Sequence, residues 1–251
     1  MSGVKSSGLA PRRPLLAELL GTALLVTVVV GSGIAAARLS PSDSGLQLLE
    51  NSTATVFGLA VLILVFGPVS GGHFNPVVSA VDWLLSRRPG NGLSAADVAM
   101  YAAAQLIGAI LGALLANIMF DLPAVQISGT DRISLGHGLG EVVATAGLVV
   151  VVFALARTER AALSAAAVGA YIGAAYWFTS STSFANPAVT VGRIFSDTFA
   201  GIAPTSALFF IAVQLVGGLA GLGLVRFFFP DAPVTAGRAV VPYPNHLSEE
   251  S

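Results

Sequence analysis

Apolar residues in this chain do not alternate with polar ones but run in long blocks, at about 14–37, 50–68, 98–120, 138–156, 162–179 and 205–229. Each block is close to the roughly 20 residues an α-helix needs to cross about 30 Å of hydrocarbon, so the pattern predicts six membrane-spanning helices. The few polar positions inside the blocks recur. Residues 17–30 and 140–152 align Glu18 with Glu141 and Thr22 with Thr145, and the run from Gln105 to Gly112 matches the run from Gln214 to Gly221. Between these landmarks stand His73-Phe74-Asn75-Pro76-Val77-Val78-Ser79 and Phe184-Ala185-Asn186-Pro187-Ala188-Val189-Thr190. Each half therefore reads as a span with a glutamate, a span, an Asn-Pro segment, and a span with a glutamine. Three spans per half put the two copies in opposite orientations across the bilayer, an inverted repeat.

This repeat predicts an all-α membrane protein of six transmembrane helices and two re-entrant half-helices. Residues 1–13 form a cytoplasmic tail, 14–120 the first repeat, 121–137 an extracellular connection, 138–229 the second repeat and 230–251 a second cytoplasmic tail. Each Asn-Pro segment precedes about nine mostly apolar residues, too few to cross a membrane. Asparagine is a good N-cap and proline is favoured in the first turn, so each half-helix begins at its asparagine. The stretches before them, Pro68 to His73 and Ser180 to Ser183, read as non-helical. Such backbone is tolerated at membrane depth only where it is buried in protein or lines a wet cavity. Inverted symmetry brings the half-helices together N-terminus to N-terminus near the midplane, each with roughly half a positive elementary charge. Cations are disfavoured there. The amides of Asn75 and Asn186 offer donors to a passing oxygen, which suits neutral hydroxylated molecules in single file.

Composition agrees with the bilayer: 55% of the 251 residues are hydrophobic and 10% charged, at a mean hydropathy of +0.82. A net charge of −1 leaves no basic surface for nucleic acid. The chain has no cysteine, and His73, His137 and His246 have no metal-ligand spacing, so neither metal nor cofactor is expected. No nucleophile, base or metal constellation suggests an enzyme. Lys5, Arg12 and Arg13 before the first apolar run, with Ala35 to Ala37 after it, imitate a signal peptide, but the run is too long, contains Glu18 and has a counterpart in the second half. Nine basic residues (Lys5, Arg12, Arg13, Arg87, Arg88, Arg157, Arg160, Arg226 and Arg238) fall on one side of this topology, while Arg38 and Arg132 are in loops on the other. Both termini are therefore expected in the cytoplasm. Glu18 and Glu141 are costly in hydrocarbon and should face inward, in a structural role that orients a neighbouring loop. The pairs Gly108/Gly112, Gly169/Gly173 and Gly217/Gly221 have the spacing that lets transmembrane helices approach closely.

The segments Ser70-Gly71-Gly72-His73-Phe74-Asn75-Pro76-Val77 and Ser183-Phe184-Ala185-Asn186-Pro187-Ala188, with the paired Glu and Gln landmarks, resemble the aquaporin, or major intrinsic protein, family over about residues 14–229. The resemblance implies a right-handed bundle, a homotetramer with one pore per subunit, and Asn75 and Asn186 as the pore asparagines. Two departures stand out. Val77 occupies a place where the family usually has alanine, with repacking around the midplane as the expected result and a modest narrowing as the alternative. Val189 occupies the place of the arginine in the outer constriction. Counting 20 residues back from Asn75, and 12 and three back from Asn186, assigns the other constriction positions to Thr55, Ala174 and Ser183, none aromatic and none charged. Phe57 lies near enough to Thr55 to restore a ring if the count shifts, and His73 and Arg193 are candidates for the pore lining or vestibule. Arg193 either pairs with Asp197, four residues on, or lines the outer mouth. A wide filter without fixed donors relaxes selectivity. The chain is thus similar to prokaryotic members with small filters, which implies a passive plasma-membrane channel for water, glycerol-like polyols, metalloid hydroxides such as arsenite, and urea as a further candidate. A secondary transporter, which inverted repeats also build, and a closed-pore structural member are the alternatives.

Overall fold

The computed structural model describes residues 12–86 and 93–230, and every regular element among them is helical. The elements are α1 (Arg12–Leu39), α2 (Ser44–Ser70), α3 (Pro76–Leu85), α4 (Ala95–Met119), α5 (Leu135–Arg157), α6 (Ser164–Phe178), α7 (Pro187–Arg193) and α8 (Pro204–Phe228), with a 3₁₀ turn at Ala161–Leu163 leading into α6. Six of the helices, α6 taken with its 3₁₀ turn, are long and apolar enough to span a bilayer; α3 and α7 are short. Lys5, Arg87, Arg88, Arg238, His246 and most of both tails lie outside the described residues.

Helix starts follow local chemistry. Asp43 Oδ1 accepts from Leu46 N at 2.9 Å and starts α2 six residues before its apolar block. Ser94 and Asp97 form a reciprocal capping box at the head of α4, and Ser134 Oγ accepts from His137 N at 3.0 Å to open α5. One expectation is corrected. Pro68 does not begin the unwound stretch, because α2 continues through it to Ser70 and ends where Gly71 turns left-handed at φ 92°. The second half-helix is also shorter than expected, with seven residues in α7 against ten in α3.

The two halves pack alike. Helix α1 lies along α4 as α5 lies along α8, and α2 meets α6 where the halves join. A Cβ at Gly108 or Gly112 would run into the Leu19 or Ala23 carbonyl of α1, and one at Gly217 or Gly221 into the Val142 or Ala146 carbonyl of α5. In both halves, then, two glycines one turn apart let backbone touch backbone. Outward positions such as Leu16, Leu64, Leu111, Leu208 and Leu219 are exposed and apolar, the surface that acyl chains require.

Candidate functional site

Each half-helix is held at its head by the same set of bonds. Asn75 caps α3, its Oδ1 accepting from Val77 N at 3.0 Å; Asn186 caps α7, its Oδ1 accepting from Ala188 N at 2.9 Å and Val189 N at 3.3 Å. Each amide then donates across to the other half: Asn75 Nδ2 to Ala185 O at 2.8 Å, and Asn186 Nδ2 to Phe74 O at 2.7 Å. The two N-termini thus abut, and each amide keeps a second hydrogen for the cavity that both asparagines line. Pro76 and Pro187 stand at the first helical positions, where no N–H is needed.

The accepting carbonyls belong to residues in an unfavourable conformation. Phe74 (φ 47°) and Ala185 (φ 48°) are left-handed non-glycine residues at equivalent places in the repeat, each costing about 1–3 kcal/mol unless its surroundings fix it. Those surroundings are the buried glutamates. Glu18 accepts from His73 N at 3.0 Å and Phe74 N at 2.7 Å; Glu141 accepts from Phe184 N at 2.8 Å and Ala185 N at 2.9 Å. Gln105 and Gln214 donate to Glu18 and Glu141 at 2.7 and 2.6 Å. His73 is further braced by Ser79 Oγ at 2.9 Å from its Nδ1.

A cavity of about 60 Å³ runs past both asparagines, room for a short file of waters at roughly 10–15 Å³ each. Its walls repeat the symmetry: Leu25 and Val29 of α1 answer Leu148 and Val152 of α5, and Val78 of α3 answers Val189 of α7. Thr55, Leu59 and Ile63 line it at helical spacing from α2, and Val168, Ile172 and Tyr176 from α6. Among the candidate residues, Asn75, Asn186, Thr55, Ser183, Val189, His73 and Arg193 come together on this cavity.

Others do not. Phe57, two residues and about 200° round the helix from Thr55, is 68% exposed on the outside of the bundle. Ala174 also points outward. Tyr176 takes the place that counting gave to Ala174, its hydroxyl 3.2 Å from Thr55 Oγ1. The twelve-residue count fails because the link from α6 to Asn186 places the inward-facing position two residues later; the fragment Val168, Ile172, Tyr176, apolar or aromatic at every fourth residue, was the available signal. Val77 narrows nothing. It is buried away from the cavity, with Cγ1 2.5 Å from where a Cβ on Gly218 would sit, so the glycine of α8 admits its extra methyls. Ala188 is likewise buried in the protein.

Of the two placements expected for Arg193, the structure has the one on the cavity wall. It does not pair with Asp197, whose carboxylate accepts from Gly129 N at 3.1 Å. Its Nε donates to Ala200 O, its guanidinium lies 3.4 Å from the Phe184 ring centroid, and the side chain is buried along the cavity wall. Arg132 reaches the same ring from the connection before α5, at 5.4 Å, bonded to Gly201 O and Phe199 O. Burial lowers its proton affinity from the ordinary arginine value, against the pull of Glu141 and Tyr176, and an arginine stays charged under such a shift.

The family model described as "Major intrinsic protein" matches residues 5–183. The chain is a major intrinsic protein. Aquaglyceroporin AqpS of Rhizobium meliloti (strain 1021) is 46% identical over 220 residues, covering 88% of this chain and 91% of that one. Aquaporin Z of Photorhabdus laumondii is 31% identical over 244 residues, 87% and 98% of the two chains. The crystal structure of the aquaglyceroporin from Plasmodium falciparum superposes with a TM-score of 0.59 at 22% identity, covering 86% of this chain and 94% of that one, which shows that the two share a fold. In this major intrinsic protein the Asn-Pro segments of both repeats line one cavity, and among the described residues no group of three His, Asp or Glu could hold a metal ion.

Proposed function

We propose that this protein is a passive channel for water and small uncharged solutes of glycerol size, with metalloid hydroxides such as arsenite and urea in the same class. The observation that carries the reading is the narrow cavity on which two cross-bonded asparagine caps meet. Donors at its centre, hydroxyls of Thr55, Tyr176 and Ser183 at one end, and apolar walls between suit molecules that exchange hydrogen bonds in file. Asn75 and Asn186 are the central donors, and the two abutting helix N-termini disfavour cations there. Thr55, Tyr176, Ser183 and Val189 form the outer constriction, with Arg193 one turn farther out. Glu18 and Glu141 act structurally, since their oxygens are engaged by the loops they hold. The reading further takes the channel as one pore per subunit of a homotetramer in the plasma membrane, both tails cytoplasmic. Its support beyond geometry is the kinship with a protein called an aquaglyceroporin.

The test is a stopped-flow panel on proteoliposomes with water, glycerol, urea and arsenite, in the absence of any ion gradient. Water and glycerol fluxes above those of empty vesicles are expected. Uptake that requires an ion gradient would establish a coupled transporter instead, and no flux above background would establish a closed pore.

A further inference from the structure

Two arginines share one aromatic ring at the outer end of the cavity. Arg193 is 3% exposed, and its only protein acceptor among the described residues is Ala200 O, taken by Nε. Its two Nη groups have no protein acceptor there, while the side chain lines the cavity. Arg132 uses Nε and Nη2 on Gly201 O and Phe199 O. Both guanidiniums therefore lie within 5.4 Å of the Phe184 ring centroid, held by carbonyls of the segment 199–201. Like charges so close, in a partly dry site, repel each other unless an anion or strong acceptors lie between them.

The nearby acids do not fill that role. Asp131 Oδ1 accepts from Ser206 Oγ at 2.6 Å and Ile133 N at 3.0 Å, and Asp197 Oδ1 faces Gly129 N. Glu141 attracts Arg132 but hydrogen-bonds to neither arginine, its oxygens being engaged by Phe184 N, Ala185 N and Gln214. A second feature points to a missing partner. Ser183, also 3% exposed and on the cavity wall, has a hydroxyl with no hydrogen-bond partner.

We infer that Arg193, Arg132 and Ser183 form a binding site for a small oxyanion, the ionised form of an oxyacid, at the outer mouth of the pore. The planar Nη donors of Arg193 take two oxygens of the anion side by side, Arg132 supplies the second positive charge, and the Ser183 hydroxyl donates to an oxygen on the pore side. Bound there, the anion stands in the solute file and obstructs neutral flux. The inference rests on the channel reading above.

The experiment measures glycerol flux into proteoliposomes in buffers matched for ionic strength and osmolarity, with chloride, methanesulfonate or inorganic phosphate as the external anion. Methanesulfonate and phosphate should slow glycerol several-fold in a saturable way, while chloride does not. Arg132→Gln at the rim should weaken this inhibition, and Arg193→Gln should abolish it. If Arg193→Gln fails to accumulate in the membrane, Arg132→Gln and Ser183→Ala carry the test. Equal flux in all three anions, or inhibition unchanged in Arg132→Gln and Ser183→Ala, overturns the site. Absence of glycerol flux in chloride would instead refute the channel itself, so the two failures are distinguishable.

Discussion

In the proposed channel, Tyr176 is the bulkiest side chain of the outer constriction. Its ring stands on the cavity wall and its hydroxyl is tied to Thr55 Oγ1 on the neighbouring helix α2, so the ring fills space that an alanine at the same place would leave open. Tyr176→Ala should raise glycerol flux several-fold while changing water flux less, because a wider passage helps the larger solute most. Ala174→Phe provides the contrast: that position is exposed on the outside of the bundle, so the substitution should leave both fluxes unchanged and stability within about 0.5 kcal/mol, as is usual for surface changes. Stopped-flow measurement of both variants checks this; a filter governed by Ala174 would reverse the pattern. The contrast also marks a limit of residue counting. Ser183 and Val189 are each three residues from Asn186, and Thr55 is joined to Asn75 by a short turn at Gly71 to Phe74, so counting finds them. Tyr176 is reached through a loop, whose length sets the register and is not recorded in the motif. How Val77 is repacked was hidden for a related reason, because its neighbour Gly218 comes from α8, more than a hundred residues away.

At the scale of the element, each re-entrant loop is a strained segment fixed by one buried carboxylate. In the second half, Glu141 takes two backbone N–H groups and the Gln214 amide, while Ala185 holds a left-handed conformation and passes its carbonyl to Asn75. Removing the carboxylate leaves two buried backbone donors without an acceptor, each costing about 1–3 kcal/mol, takes away one of the two acceptors of Gln214 Nε2, and frees Ala185 to relax. Glu141→Ala should therefore lower stability by several kcal/mol and abolish flux together, through loss of the loop that carries Asn186. Thermal unfolding in detergent with parallel flux measurement tests the claim, and a variant within about 0.5 kcal/mol of wild type would contradict it. The half-helices themselves were legible, because Asn-Pro states both the cap and the first turn. The bonds between the two halves were not. Nothing in the sequence around Asn75 says that its amide will reach Ala185, since that contact exists only once both repeats are folded against each other.

At the scale of the molecule, six apolar helices are an even number, so the two ends of the chain must leave on the same face of the membrane. Which face follows from charge. Among the described residues, Arg12, Arg13, Arg157, Arg160 and Arg226 are at or beside helix ends on one side of the bundle, whereas Arg38 and Arg132 are at or beside helix ends on the other. The two opposite-side arginines are also partly occupied within the protein: Arg38 donates to Phe120 O at 2.6 Å and lies over the Phe120 ring, and Arg132 is turned onto Phe184. They therefore weigh less than free loop charges against translocation. Positive residues in short loops are retained in the cytoplasm, so both tails should be cytoplasmic and Arg193 should face the outside. A protease applied to intact cells whose outer surface is accessible should leave a tag placed after Ser251 uncut, and should cut it once the membrane is permeabilised. Cleavage before permeabilisation would invert the molecule, turn the two-arginine mouth toward the cytoplasm, and reverse the side from which an oxyanion slows glycerol flux.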